Sequence, residues 1–135
     1  MVTRTLARAD AELLAAQFSS EAWERFTHAH LAALRAAAAV VAGRGSPSRR
    51  GAPHTVWEML AAVAPELARW AALFADGARL RTALEAGRFE AVSAARAEQA
   101  LCDAEDFIDV ARSAMGEDVW SDERSAPRML AVGAS

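Results

Sequence analysis

The sequence predicts an all-α protein, an antiparallel bundle of four to five helices, from three observations. Alanine and leucine, which favour helices, dominate the chain, and β-branched residues are sparse. No segment alternates apolar and polar residues over the length of a strand. Residues that cap helices, and glycines or prolines that end them, recur at intervals of about one helix length. The connections between the predicted helices are therefore mostly short, which is typical of helices that pack against their neighbours in the chain.

The first two helices are predicted on either side of FSSEAW. Residues 3–17 form the first, and its apolar contacts come from Leu6, Leu13, Leu14 and Phe18. Ser19 is placed to cap the second helix, and Phe18 before it is spaced to contact Trp23 after it, as in a hydrophobic staple. The second helix then runs to about Ala42, with Gly43 as its left-handed C-terminal cap.

A loop and a short third helix follow. Glycine, serine and proline in RGSPSRRGAP, residues 44–53, predict a flexible connection. Thr55 and Glu58 then have the spacing of a capping box, which starts the third helix. Pro65 ends this helix and suits the first turn of the next one, since proline lacks an amide hydrogen.

The fourth and fifth helices complete the bundle. The fourth is predicted from Pro65 to Gly87, with a kink at Asp76-Gly77. Ser93 opens the fifth, whose apolar stripe is Ala97, Leu101, Ala104, Ile108, Ala111 and Met115. We therefore assign residues 1–116 to the bundle and residues 117–135, which show no sustained period, to a loosely structured C-terminal tail.

Composition limits the functional class. A chain of 135 residues with 53% apolar residues, 24% charged residues and a net charge of −3 is typical of a folded globule rather than a nucleic-acid-coating tail. A single cysteine excludes an internal disulfide framework. The longest uncharged run, AAAAVVAG, is far shorter than the roughly 20 residues of a membrane-spanning helix. We expect a soluble cytoplasmic protein that has no membrane partner, reads no DNA sequence and needs no cofactor or metal.

Alanine abundance also predicts self-association. An alanine methyl buries about a third of the area of a leucine side chain. Each residue of an alanine-rich core therefore contributes little hydrophobic stabilisation. Additional burial in a partner compensates for that shortage, and a homodimer is the simplest partner.

Three segments in this order resemble a known family: RFTHAHLAALRAAAAVVAGRG, TVWEMLAAVAPELARWAALFADGARLRTALEAG and VSAARAEQALCDAEDFIDVA. The similarity is to small actinobacterial proteins classed as HEPN-like, and it covers roughly residues 5–116. It implies an α-helical bundle that commonly dimerises. Many HEPN proteins are RNases of toxin or defence type, and others bind RNA or nucleotides without catalysis.

The RNase members of that family carry an arginine, four to six residues and then a histidine, usually near the start of a late helix. This chain offers Arg25 with His30 and Arg49 with His54 as candidate catalytic pairs. Neither pair lies in the fifth helix, where the resemblance would place it, and that helix has no histidine. With fifteen arginines in the chain, chance alone supplies about one such spacing.

Helical geometry favours a packing role for His30. Five residues along a helix separate Arg25 and His30 by about 140° around its axis. His30 shares its face with apolar residues, namely Trp23, Leu34, Ala37 and Val41. A buried imidazole satisfied by a hydrogen bond is the expected interpretation. Proton transfer at a dimer seam remains the alternative.

The loop arginines have two interpretations. Arg44, Arg49 and Arg50 would together hold the phosphate of a nucleotide or RNA backbone. Alternatively they lie in solvent, because RRGAPH places a glycine and a proline between Arg49 and His54, and such a loop is too flexible to hold catalytic groups.

The fifth helix and the tryptophans are expected to be structural. Glu98, Glu105 and Asp109 share one face, and we interpret them as a water-facing acidic stripe. Cys102 beside them lacks a neighbouring base and is expected to be small and partly buried. Helical spacing favours the core over RNA stacking for Trp23, Trp57 and Trp70.

Three functional hypotheses follow. The leading one is a non-catalytic RNA- or nucleotide-binding or protein-interaction module, because the late-helix motif is missing. The second is a metal-independent RNase that uses an Arg/His pair, in which the histidine removes the 2′-hydroxyl proton and the arginine stabilises the phosphorane. The third is a structural dimerisation bundle without a ligand.

Overall fold

A computed structural model of the chain describes residues 2–45 and 55–116. Within these ranges every regular element is helical, so the all-α prediction is confirmed. Two short 3₁₀ turns cover Pro65–Leu67 and Phe89–Ala91. The α-helices are α1 (Val2–Phe18), α2 (Ala22–Arg44), α3 (Val56–Val63), α4 (Ala68–Glu85) and α5 (Ala94–Ala114).

Helix α2 is the centre of the bundle. It contacts each of the other four helices, most extensively α1 and α5. It buries side chains on several sides, and most of them are alanines, which let neighbouring helix axes approach closely. Its buried residues are Phe26, Ala29, His30, Ala32, Ala33, Ala36, Ala37, Ala39, Val40 and Val41.

The junction between α1 and α2 differs from the prediction. Glu21, not Ser19, is the N-cap of α2 and makes no side-chain capping bond. The Ser19 hydroxyl instead donates to a carbonyl of the last turn of α1. Phe18 is 81% exposed, and Trp23 stacks on Phe89 with ring centroids 4.4 Å apart. The predicted cap and staple are therefore wrong, because both partners of the staple are used elsewhere or lie in solvent.

The far end of α2 also lies beyond its predicted limit. Gly43 is within the helix, and Gly45, with φ of 89°, is the C-cap. The two extra residues include Arg44, whose guanidinium donates to the carbonyls of Val63 and Ala114 at 3.3 and 3.2 Å. Arg44 thus ties the C-terminal ends of α2, α3 and α5 together.

The start of α3 agrees with the sequence. The Thr55 hydroxyl accepts from the Glu58 amide at 3.0 Å, and the Glu58 carboxylate accepts from the Thr55 amide at 3.2 Å, which confirms the capping box. Pro65 opens a 3₁₀ turn rather than α4 itself, which begins three residues later at Ala68.

Helices α4 and α5 end and begin near the predicted residues. Helix α4 runs without interruption through Asp76 and Gly77, and Gly87 follows it with φ of 91°. The Ser93 hydroxyl caps α5 by accepting from the Arg96 amide at 3.0 Å. Five residues of the predicted stripe on α5 are buried: Ala97, Leu101, Ala104, Ile108 and Ala111.

Aromatic side chains fill the space between α2, α3, α4 and α5. We call this group the aromatic layer; it contains Phe26, His30, Trp57, Trp70, Phe74 and Phe107. The rings of Trp57 and Phe74 stack with centroids 5.3 Å apart, and Phe74 and Phe107 lie 5.2 Å apart.

Of the helices in the described ranges, none has the length and apolar character needed to cross a bilayer.

Candidate functional site

His30 is the one polar residue in the buried core of the described chain, and it lies in the middle of the aromatic layer. Its side chain comes from α2 and is 3% exposed. The imidazole stacks on Phe26 at 5.8 Å and meets the rings of Trp57 and Phe74 edge-on at 5.9 and 6.3 Å. Helical spacing on α2 predicted this apolar setting for His30.

One hydrogen bond fixes the chemical state of His30. Its Nε2 lies 3.0 Å from the backbone carbonyl of Phe74 in α4. Since a carbonyl only accepts, Nε2 carries the proton, and Nδ1 is left as a lone pair. Nδ1 is buried and has no hydrogen-bond partner among the described residues. Only one of the two ring nitrogens is thus satisfied, whereas the sequence led us to expect a satisfied imidazole.

Burial keeps this histidine neutral. Desolvation lowers the pKa of His30 below its usual value of 6.5; the hydrogen bond to the Phe74 carbonyl opposes this, and the positive charges of Arg81 and Arg96 add to it. A low pKa suits a general base only where water or substrate reaches the nitrogen. Here Nδ1 is enclosed, so the present geometry gives His30 a structural role.

Gly77 makes room for the imidazole. It is buried in the middle of α4, and a Cβ at this position would lie 3.3 Å from Cδ2 of His30 and 3.6 Å from the ring of Phe26. A glycine inside a helix costs about 1 kcal/mol relative to alanine. The close approach of His30 therefore explains Gly77, which the sequence had suggested as a kink.

Arg25 is held by other groups and makes no hydrogen bond or ion pair with His30. Its guanidinium donates to the carbonyls of Ala16 and Ser19 at 3.1 and 2.7 Å, and it pairs with Glu98 of α5 at 2.9 Å. These bonds satisfy carbonyls at the C-terminal end of α1. Arg25 thus fastens α1 and α5 to α2.

The loop candidates are only partly described. Arg49, Arg50 and His54 lie outside the described residues. Arg44 lies inside them, and it bonds the two carbonyls at the ends of α3 and α5 and pairs with Glu66 at 2.6 Å. This ion pair lowers the pKa of Glu66. A phosphate at Arg44 would therefore have to compete with existing bonds.

The acidic face of α5 holds no metal site. No cluster of three or more metal-binding side chains occurs within residues 2–45 and 55–116. Glu98 pairs with Arg25, and Glu105 accepts from Gln17 at 2.9 Å. Cys102 is exposed, so its predicted partial burial is wrong. Desolvation and the surrounding carboxylates raise the pKa of its thiol, which makes it a poor nucleophile.

Two features of the site were not predicted from the sequence. His28, only two residues before His30, lies 2.7 Å from the Glu12 carboxylate of α1. A cleft of about 360 Å³ also opens between α4 and α5, lined by Glu66, Arg69, Trp70, Leu73 and Asp103. Both depend on residues distant in the chain, and no local spacing signals them.

The three tryptophans within the described residues are packing residues. Trp57 is 6% exposed, and Trp70 contacts Phe74 and Phe107 at the floor of the cleft. Trp23 stacks on Phe89. Trp57 thus agrees with the predicted core role, and the other two are partly buried at the margins of the core.

Comparison with known proteins identifies one family. A family model described as HEPN_SAV_6107-like HEPN matches residues 16–112, more than half of the chain. No curated protein and no solved structure matches the chain significantly. The matched segment includes α2, α3, α4 and most of α5, and therefore His30, Gly77 and the whole aromatic layer.

Proposed function

Because the chain belongs to the HEPN_SAV_6107-like HEPN family, we propose that it is a non-catalytic member that acts through protein–protein contacts, with a second copy of itself as its first partner. The observation that carries this proposal is the state of His30, whose protonated nitrogen is bonded to a backbone carbonyl and whose free nitrogen is buried. A general base of RNA cleavage needs a nitrogen that reaches the 2′-hydroxyl.

The charge of the bundle also favours a protein partner over RNA. The outer face of α5 carries Glu98, Glu105, Asp106 and Asp109. Carboxylates in such a row repel a phosphate backbone, whose binding depends on clustered lysine and arginine. Large apolar side chains are exposed elsewhere, namely Leu14, Phe18, Leu73 and Phe89. Of these, Leu14 and Phe18 lie one helical turn apart on α1, and neighbouring exposed apolar side chains are typical of surfaces that contact other proteins.

The proposal is tested by measuring mass and cleavage on the same preparation. We expect the mass measured by light scattering to rise from one chain toward two across the micromolar range, and we expect no cleavage of a mixed-sequence single-stranded RNA. The RNase alternative predicts cleavage that disappears in both His54→Ala and Arg49→Ala while the helical circular-dichroism signal stays intact. That result would overturn the proposal, as would a mass of one chain at every concentration.

A further inference from the structure

Helix α1 has an apolar stripe on the side that faces away from the bundle. We call it the α1 outer stripe; it consists of Ala7, Ala11, Leu14 and Phe18, all of which are exposed, Leu14 by 54% and Phe18 by 81%. Their steps of four, three and four residues place them within about 60° of one another around the helix. A helix that only covers a core presents polar residues on this side.

Three polar side chains of α1, those of Asp10, Glu12 and Gln17, bond to other helices of the same chain. Asp10 pairs with Arg112 of α5 at 3.1 Å. Glu12 contacts His28 of α2 at 2.7 Å, and Gln17 donates to Glu105. These bonds draw the flanking side chains toward α2 and α5, and the outer stripe remains apolar.

We propose that the α1 outer stripe is the contact surface between two copies of this chain, which pair antiparallel about a two-fold axis midway between Ala11 and Leu14. This inference rests on the proposed function and identifies the surface that carries it. In this register Ala11 of each copy faces Leu14 of the other, and Ala7 faces Phe18.

The order of small and large residues selects a second copy as the partner. Both small members of the stripe, Ala7 and Ala11, lie in its N-terminal half, and both large members, Leu14 and Phe18, lie in its C-terminal half. A two-fold axis places every large side chain against a small one, which is the complementarity that close packing needs. A parallel pairing would set phenylalanine against phenylalanine and leave a gap between the alanines.

The charges at the two ends of the stripe favour the same arrangement. Arg8 is exposed in the N-terminal half of α1, and Glu21 is exposed just beyond its C-terminal end. An antiparallel pair brings the basic end of one copy toward the acidic end of the other. Such complementary charges at the rim favour the correct orientation more than they add affinity.

One helix pair is a small interface. Stable protein–protein interfaces bury about 1,200 Å² or more in total, and smaller ones are weak or transient. We therefore expect a dimer whose population rises with concentration through the micromolar range. Sedimentation equilibrium over such a range measures its dissociation constant directly.

The first test removes the large side chains. Leu14→Ser and Phe18→Ser are each expected to weaken the dimer by about tenfold or more, as truncation of central interface anchors usually does. Leu73→Ser on α4 is the control, since Leu73 is an apolar residue that is 40% exposed and lies outside the stripe, and it should leave the dimer unchanged. Helical circular dichroism checks that all three variants stay folded.

The second test exchanges sizes across the proposed axis. Ala11→Leu alone should weaken the dimer by about tenfold, because two leucines would then face each other. Ala11→Leu combined with Leu14→Ala should restore it. If the stripe instead associated non-specifically through its apolar surface, Ala11→Leu would add to that surface and strengthen association.

Each outcome separates this inference from the proposed function. A dimer that survives Leu14→Ser and Phe18→Ser overturns the α1 surface and leaves the interaction function standing. Association that is strengthened by Ala11→Leu also overturns it. Cleavage of RNA by the same preparation would overturn the non-catalytic function, whatever surface the two copies use.

Discussion

Helices α1 and α4 both pack on α2, but they are attached by different kinds of contact. The buried side chains described for α1 are Leu6, Ala9 and Ala16, and its polar attachments to α2 and α5 are half-exposed pairs such as Glu12 with His28. Helix α4 contributes a buried phenylalanine, a glycine in contact with an imidazole, and a carbonyl that binds a buried N–H. The difference teaches that α1 is held by many contacts that each stabilise its attachment a little, whereas α4 is held by a few contacts that each stabilise it strongly.

The largest expected effect lies in the aromatic layer. Phe74 is 5% exposed and contacts the rings of Trp57, Trp70 and Phe107. Phe74→Ala should lower the free energy of unfolding by about 3–5 kcal/mol, through lost contacts and the cavity left behind. Urea denaturation measures it. The neighbouring Leu73→Ala, in an exposed position, should change stability by no more than about 0.5 kcal/mol, and equal effects at both positions would contradict the contrast.

The contact between His30 and Gly77 should give the next largest effect. His30→Ala should cost about 1–3 kcal/mol. Gly77→Ala should destabilise the natural protein, because its Cβ would lie 3.3 Å from a ring that is held by a hydrogen bond. In the His30→Ala background the same change should stabilise the protein by up to about 1 kcal/mol. The ring is then absent, and alanine has a higher helix propensity than glycine.

A double-mutant cycle measured by urea denaturation checks this reversal of sign. The same effect of Gly77→Ala in both backgrounds would show that the glycine serves some other purpose.

The sequence predicted most of the fold but not these contacts. Apolar periodicity placed His30 on a packing face and Ala97 and Ile108 in a buried stripe, because helical period alone decides which residues share a side. The capping box at Thr55 was equally local. Gly77 was predicted only as a kink, since nothing near it in the chain shows that an imidazole from α2 approaches there.

The polar groups were harder to predict for the same reason. Helical geometry separated Arg25 from His30 but gave no partner for it, and in the structure it bonds two carbonyls at the end of α1 and Glu98 of α5. Ser19 is a residue type that is common at N-caps, but its hydroxyl donates to a carbonyl of the preceding helix instead. A polar side chain takes whichever partner tertiary packing brings near, so its role depends on residues far away in the sequence.

Acid should weaken the attachment of α4 through His30. Burial lowers the folded-state pKa of His30 below its ordinary value of 6.5, so the unfolded chain binds the proton more tightly than the folded one. Its contribution to stability is complete above about pH 6.5 and is lost as the pH falls below that value, by up to about 1.4 kcal/mol per pH unit. The groups that act on the ring are Arg81, Arg96 and Glu85.

Urea midpoints between pH 7.5 and 5 measure this loss. His30→Ala should flatten the pH profile in that range, whereas His28→Ala should leave the contribution of His30 in place. An unchanged profile in His30→Ala would show that the acid sensitivity comes from other groups.

The smallest expected effect lies at the attachment of α1. Glu12 and His28 have side chains that are 24% and 37% exposed, so water and salt screen their interaction. Glu12→Gln keeps an oxygen that accepts from the His28 ring and removes only the charge. It should therefore cost no more than about 0.2–1 kcal/mol in dilute buffer and almost nothing in about 1 M sodium chloride. The loss caused by Phe74→Ala should be the same in both solutions, because burial of apolar surface does not depend on that screening. If Glu12→Gln lowered the free energy of unfolding by a large amount that did not depend on salt, α1 would be held by one strong contact. The contrast between the two helices would then fail.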